Sequence, residues 1–143
     1  MLEQTTTSIP WHHLHPIMVN FTAGLVPISF VFDLLGRITK RESLGPAAWW
    51  TLLFATLLTP ATALTGWFWK GSLPSAALPD DLIFIHQWLG SALAVLFVAL
   101  TTWRGRMFHR GRSVGAIYLL FAAILVSALA VQGNLGGTMV FRE

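Results

Sequence analysis

Five histidines, six carboxylates and no cysteine hold most of the chemistry open to this chain of 143 residues. Without thiols, there are no disulfides, no thiolate-held clusters and no C-x-x-C-H attachment of c-type haem, so a bound metal or cofactor would have to be held by imidazole, carboxylate or backbone. His12, His13 and His15 gather near the N-terminus, and His86 stands alone mid-chain. Neutral imidazole suits copper, zinc or haem iron. The trio therefore reads either as a metal site or as hydrogen-bonding anchors at a membrane boundary. Gly90 and Ala94 follow His86 at four-residue spacing. On a helix they share its face, leaving no side chain one turn away to block a flat macrocycle. The same small-residue stripe also allows close helix contact, with His86 bonded across the interface. The two readings oppose each other, because a haem holds helices apart and the stripe draws them together. No H-E-x-x-H, no Ser or Thr patterned with His and acid, and no Gly-rich phosphate loop with Lys occurs, which disfavours hydrolytic catalysis.

The elements that position these residues belong in lipid. The chain is 55% hydrophobic and 10% charged, with a mean hydropathy of +0.65, which excludes a large soluble catalytic domain. Four apolar runs are near the roughly 20 residues that cross a bilayer as a helix: Ile17 to Leu35, Trp49 to Trp69, Leu82 to Trp103 and Val114 to Val131. The loops 37–48, 70–81 and 104–113 are short, so consecutive helices should be antiparallel neighbours. The reading is a single all-α domain over 1–143, an integral-membrane four-helix bundle running up-down-up-down. Pro16 opens the first span at a position that needs no N–H, and Pro27 bends it. Pro60 leaves the carbonyl of Thr56 unpaired in the second, where Thr56, Thr59, Thr62 and Thr65 supply hydroxyls to compensate and pack. A cleaved signal peptide fits poorly: Glu3 and no Lys or Arg precede the first span, which is too long for an h-region. The glycines of the tail, Gln132 to Glu143, predict a turn that returns Met139, Val140 and Phe141 to the interface.

Charge sets the orientation. Arg37, Lys40, Arg41, Arg104, Arg106, Arg110 and Arg112 lie between spans on one side, against Lys70 and Arg142 on the other. The positive-inside rule puts the first group in the cytoplasm and both termini on the periplasmic or outer side of a bacterial inner membrane. Basic residues in short loops between apolar spans point to topology, not to nucleic acid. Trp11, Trp67, Trp69 and Trp88 then fall at the outer boundary, and Trp49, Trp50 and Trp103 at the inner one, as interfacial belts require. Helices one and three become diagonal partners with His12, His13, His15 and His86 at one end. Asn20, Gly24 and Pro27 predict the inward face of the first helix, since a buried amide needs a partner such as His86. Asp33 and Arg37, four residues apart, predict an interfacial ion pair. A proton relay through Asp33 is disfavoured because no second carboxylate lies at membrane depth.

The run Leu14-His15-Pro16-Ile17-Met18-Val19-Asn20-Phe21 resembles the Leu-His-Pro-x-x-Val-His-Phe-Pro opening of the bacterial membrane family called domain of unknown function 2231. Asp33-Leu34-Leu35, Thr65-Gly66, His86 and Asn134-Leu135-Gly136-Gly137 resemble its later motifs, so the likeness covers most of the chain. The resemblance implies four transmembrane helices and no established activity. The chain departs where Asn20 replaces the second histidine and Thr22 the proline. Were haem bound in the family between that histidine and the counterpart of His86, three outcomes would follow here: His15 substitutes, the iron is five-coordinate through His86, or the site is empty.

Three functions follow. The first is a small b-type cytochrome, with haem b near the outer face, His86 and His15 as axial ligands, and Asn20 and Gly90 beside them. The second is a cofactor-free accessory or structural subunit of a larger respiratory or photosynthetic membrane complex. The third is metal handling by His12, His13 and His15. A complete transporter is hard to build from four spans.

Overall fold

The computed structural model describes residues 11–70 and 80–140, with backbone only at 11–13, 80 and 140. Four helices account for nearly all of it: α1 (Trp11–Thr39), α2 (Leu44–Lys70), α3 (Asp80–His109) and α4 (Ala116–Val140). All four are long and apolar enough to cross a membrane. They form an up-down-up-down bundle in which α1 packs on α2 and α4, and α3 on α2 and α4; the diagonal pairs do not touch through their backbones. This all-α transmembrane architecture is the one the hydropathy pattern predicts.

Each helix outruns its predicted span, because apolarity marks only the hydrocarbon part while backbone hydrogen bonding carries the helix on through polar residues. Thus α1 begins at Trp11, so His12, His13 and His15, expected to precede the first helix, lie inside it, as does Pro16. At the other end of the chain the expected glycine-rich turn does not form: α4 runs through Gly133, Gly136 and Gly137 to Val140. In lipid a broken helix exposes unpaired N–H and C=O groups, a cost larger than the low helix propensity of glycine. Phe141 to Glu143 and the predicted loop 71–79 lie outside the described residues.

The connections at the basic end are tight. Gly111 takes φ +61, and its N–H and that of Arg112 donate to the carbonyls of Phe108 (3.0 Å) and Met107 (2.9 Å). This paired closure ends α3 at a left-handed residue, which glycine adopts without a Cβ penalty.

The middle of the bundle is apolar, built from Val26, Leu52, Ala55, Leu93, Phe97, Leu100, Ala122 and Leu125. Phe97 is fully buried, whereas Phe68 is 77% and Ile117 68% exposed. Large apolar side chains facing outward on every helix are what a hydrocarbon solvent requires. Trp67 and Trp88 pack edge to face near the histidine end with ring centroids 6.0 Å apart, as an interfacial belt predicts. Trp49 departs from that expectation. It is buried, stacked on Phe108 at 5.5 Å, and its ring edge sits so close to α3 that a Cβ on Gly105 would come within 2.9 Å.

Candidate functional site

Two clusters of polar residues stand one at each end of the apolar middle, with the buried Thr22, Thr56 and Thr59 between them. At the basic end, α1 and α3 are joined across the diagonal by Asp33 and Arg104. The guanidinium donates through Nε (3.1 and 3.0 Å) and Nη2 (2.9 Å) to both carboxylate oxygens, and through Nη2 to the carbonyl of Gly45 on α2 at 2.9 Å. Tyr118 of α4 lies against the same carboxylate, so all four helices meet in one charge-neutral cluster. The predicted Asp33–Arg37 pair is therefore corrected. Arg37 donates instead to the carbonyl of Val114 at 2.6 Å. Asp33 faces inward, where the long side chain of Arg104 reaches it from the opposite helix and Tyr118 from α4.

At the other end the two diagonal helices present imidazoles, His15 from α1 and His86 from α3, both half-buried. Nδ1 of His15 sits 2.9 Å from the carbonyl of Thr62 and 3.2 Å from the hydroxyl of Thr65. The carbonyl assigns the proton to Nδ1, which leaves Nε2 as the basic nitrogen. Beneath the ring is Gly66, where a Cβ would meet Cε1 of His15 at 2.9 Å. His86 is held from α4: Nε2 of Gln132 donates to its backbone carbonyl at 2.8 Å and lies 3.3 Å from its Nε2. Gly136 lies beneath this ring in the same way, a Cβ there coming within 3.1 Å of Cε1. Gly90 is opposite Gln132, whose amide nitrogen a Cβ would approach to 2.8 Å. Two helices thus carry glycine against the two imidazoles and a third carries Gly90 one turn deeper, and each glycine is covered by a polar side chain. Nδ1 of His86, Nε2 of Gln87 and Oε1 of Gln132 are buried without a partner among the described residues.

Residues 11–143 match the family model described as "Predicted membrane protein (DUF2231)". The chain belongs to the DUF2231 family. No curated protein and no solved structure matches it. Family membership adds a multi-pass membrane setting to the geometry and assigns no activity. The short motifs through which the sequence resembles the family are scattered along the chain, yet four of them touch in pairs: His15 on Thr65-Gly66, and His86 on Gly136.

The other predicted site residues fall differently. Asn20 is exposed, and Gly24, also exposed, faces open space, with no atom within 4 Å of where a Cβ would stand. The inward face of α1 is instead Thr22, Val26, Ser29 and Asp33. Successive residues on a helix are about 100° apart, so Asn20, two before Thr22, points away from that stripe. Its expected partnership with His86 is not formed. His12 and His13 lie in the first turn of α1, with their side chains outside what the structure describes; among the described residues no group of three His, Asp or Glu converges as a metal site. The threonines of α2 do face the bundle, but not to repair the carbonyl that Pro60 frees. Thr59 and Thr62 donate to the carbonyls of Ala55 (2.7 Å) and Leu58 (2.9 Å), and Thr56 pairs with Thr101 of α3 at 2.6 Å.

Sequence reasoning missed Gln132 and Arg104 as partners. A signal for Arg104 was present: it follows His86 by eighteen residues, and Asp33 follows His15 by eighteen. Eighteen residues are five full turns and about 27 Å. Each pair therefore lies on one helical face, with its members near opposite ends of the hydrocarbon.

Proposed function

We propose that the chain is a b-type haem electron-transfer protein in which His15 and His86 would hold the iron. The observation supporting this is that diagonal helices bring two imidazoles to one end of the bundle, with glycines on α2 and α4 against their rings and Gly90 one turn deeper on α3. A Cβ at Gly66 or Gly136 would intrude on the His15 and His86 rings, and one at Gly90 on Gln132, so the cradle these glycines form holds the two imidazoles and one amide side chain. The donor set fits: the Thr62 carbonyl fixes the tautomer of His15, and both rings are half-buried. Bound haem supplies reversible one-electron chemistry between ferric and ferrous iron, with donor and acceptor coming from neighbouring redox proteins. The protein's part is to orient the imidazoles and to surround them with an apolar bundle. Opening the cradle requires Gln132 to turn away from Gly90. Asn20, on the outer face of α1, has no part in this site.

The test is the visible spectrum of detergent-solubilised protein expressed with haem available. A Soret band that shifts on reduction is expected, abolished in His86→Ala and altered in His15→Ala. Colourless wild-type protein sinks the proposal. It would favour the second reading, a cofactor-free accessory subunit of a larger membrane complex. That reading draws support from Gln132, which already ties His86 to α4 and fills the space over Gly90.

The orientation belongs to the same proposal. Seven basic residues at the Asp33–Arg104 end, against two at the other in the sequence, put the histidine end on the periplasmic side of a bacterial inner membrane. A reporter fused after Glu143 is expected to read as exported, and a cytoplasmic reading reverses the placement.

A further inference from the structure

The geometry points to a binding site for an anionic phospholipid in the groove between α2 and α3 at the basic end. The groove has a volume of about 490 Å³, within the roughly 300–1,000 Å³ range of small-molecule sites. Its deeper wall is Leu53 and Thr101, half-buried and buried and both uncharged; its outer end is Arg106, His109 and Arg110, all exposed, with the buried Trp49 ring 5.8 Å from that of His109. Thr101 lies five residues deeper along α3 than Arg106, about 7.5 Å toward the bilayer centre. The site is thus apolar at the depth of acyl chains and cationic at the depth of headgroups.

Charge complementarity selects the occupant. The basic end carries Arg37, Lys40, Arg41, Arg104, Arg106, Arg110 and Arg112 against Asp33 and Glu42. Asp33 is consumed by Arg104, and neither Arg106 nor Arg110 has a carboxylate partner among the described residues. Arg presents a planar fork of donors that matches phosphate oxygens two at a time. Two such forks at a membrane boundary, unpaired and beside an apolar trough, fit a phosphodiester headgroup with its chain laid along Leu53. Free phosphate shares the headgroup chemistry but makes no use of the trough. The groove is at the opposite end from His15 and His86 and is independent of the haem reading.

The experiment uses the full chain in nanodiscs of phosphatidylcholine alone or with one-third phosphatidylglycerol, read by thermal unfolding and by native mass spectrometry of retained lipid. Wild type is expected to unfold at higher temperature in the mixed discs and to release with phosphatidylglycerol bound. Arg106→Gln with Arg110→Gln should lower that retention about a hundred-fold, taking about 1.5 kcal/mol, or about ten-fold, for the charge-assisted hydrogen bonding to phosphate that each arginine loses. Unfolding in pure phosphatidylcholine serves as the check that the variant folds. Arg41→Gln with Arg112→Gln, at the same end but outside the groove, should keep most of the retention. An equal loss in both double variants, no preference for phosphatidylglycerol, or equal stabilisation of wild type in phosphatidylcholine discs by inorganic phosphate would each overturn the site.

Discussion

Asp33→Asn is expected to destabilise the bundle by about 3–5 kcal/mol, the range for removing one partner of a buried ion pair. Asn preserves the shape of the side chain and one acceptor oxygen, so lost packing contributes little. What changes is that the Arg104 guanidinium, 3% exposed, loses the charge that compensates it, in surroundings where neither water nor another carboxylate can reach it. Three of its hydrogen bonds end on Asp33, and its remaining one, to the carbonyl of Gly45, carries no formal charge. Because the cluster joins α1, α2, α3 and α4 at one end, the loss should appear as a single cooperative shift of unfolding and not as local fraying. Thermal unfolding in detergent measures it. The double variant Asp33→Leu with Arg104→Met should recover most of the loss, since replacing both charges with apolar groups of similar size removes the unpaired ion. A single variant within about 1 kcal/mol of wild type would mean that Arg104 reaches water, and the description of this cluster as buried would be wrong.

Phe97→Ala is expected to cost about 3 kcal/mol, the low end of the range measured for this change in soluble cores. The low end applies for a physical reason. In a soluble protein the change loses both the transfer of apolar surface out of water and the packing around the cavity; between helices in lipid the first part falls away, because hydrocarbon surrounds the separated helices as well. The packing part remains, and at a fully buried ring in the centre of the apolar cluster it is near its maximum. Phe68→Ala, at a site 77% exposed, should change stability by less than about 0.5 kcal/mol. Equal effects at the two positions would show that the helices are not packed as described.

These two sites show where sequence and structure divide. That the chain crosses lipid four times follows from composition and run length alone, because hydrocarbon excludes unpaired backbone and admits few charges. The end to which the arginines belong is also legible, since it depends on which loop each residue falls in. Partners are less so. Asp33 and Arg37 are four residues apart and would pair on an exposed helix, but Asp33 points inward and meets Arg104, seventy-one residues away. The cost of an amide in lipid predicts an inward-facing Asn20, whereas its side chain is exposed on the outer face of α1. Thr22, two residues on, is the buried one, and nothing in its chemistry announced it.

Sequence by itself determined the number of spans, their alternation, the diagonal placement of α1 and α3, and the gathering of His15 and His86 at one end, because each depends on hydropathy period or on chain direction. Tertiary structure alone decided that His15 is held by Thr62 and Thr65 over Gly66, that His86 is held by Gln132 over Gly136, and that Asp33 belongs to Arg104. Those pairings depend on how far each helix is rotated about its axis. Rotation is set by contacts among four helices at once, and a low-contrast apolar surface in lipid leaves little trace of it in any single helix.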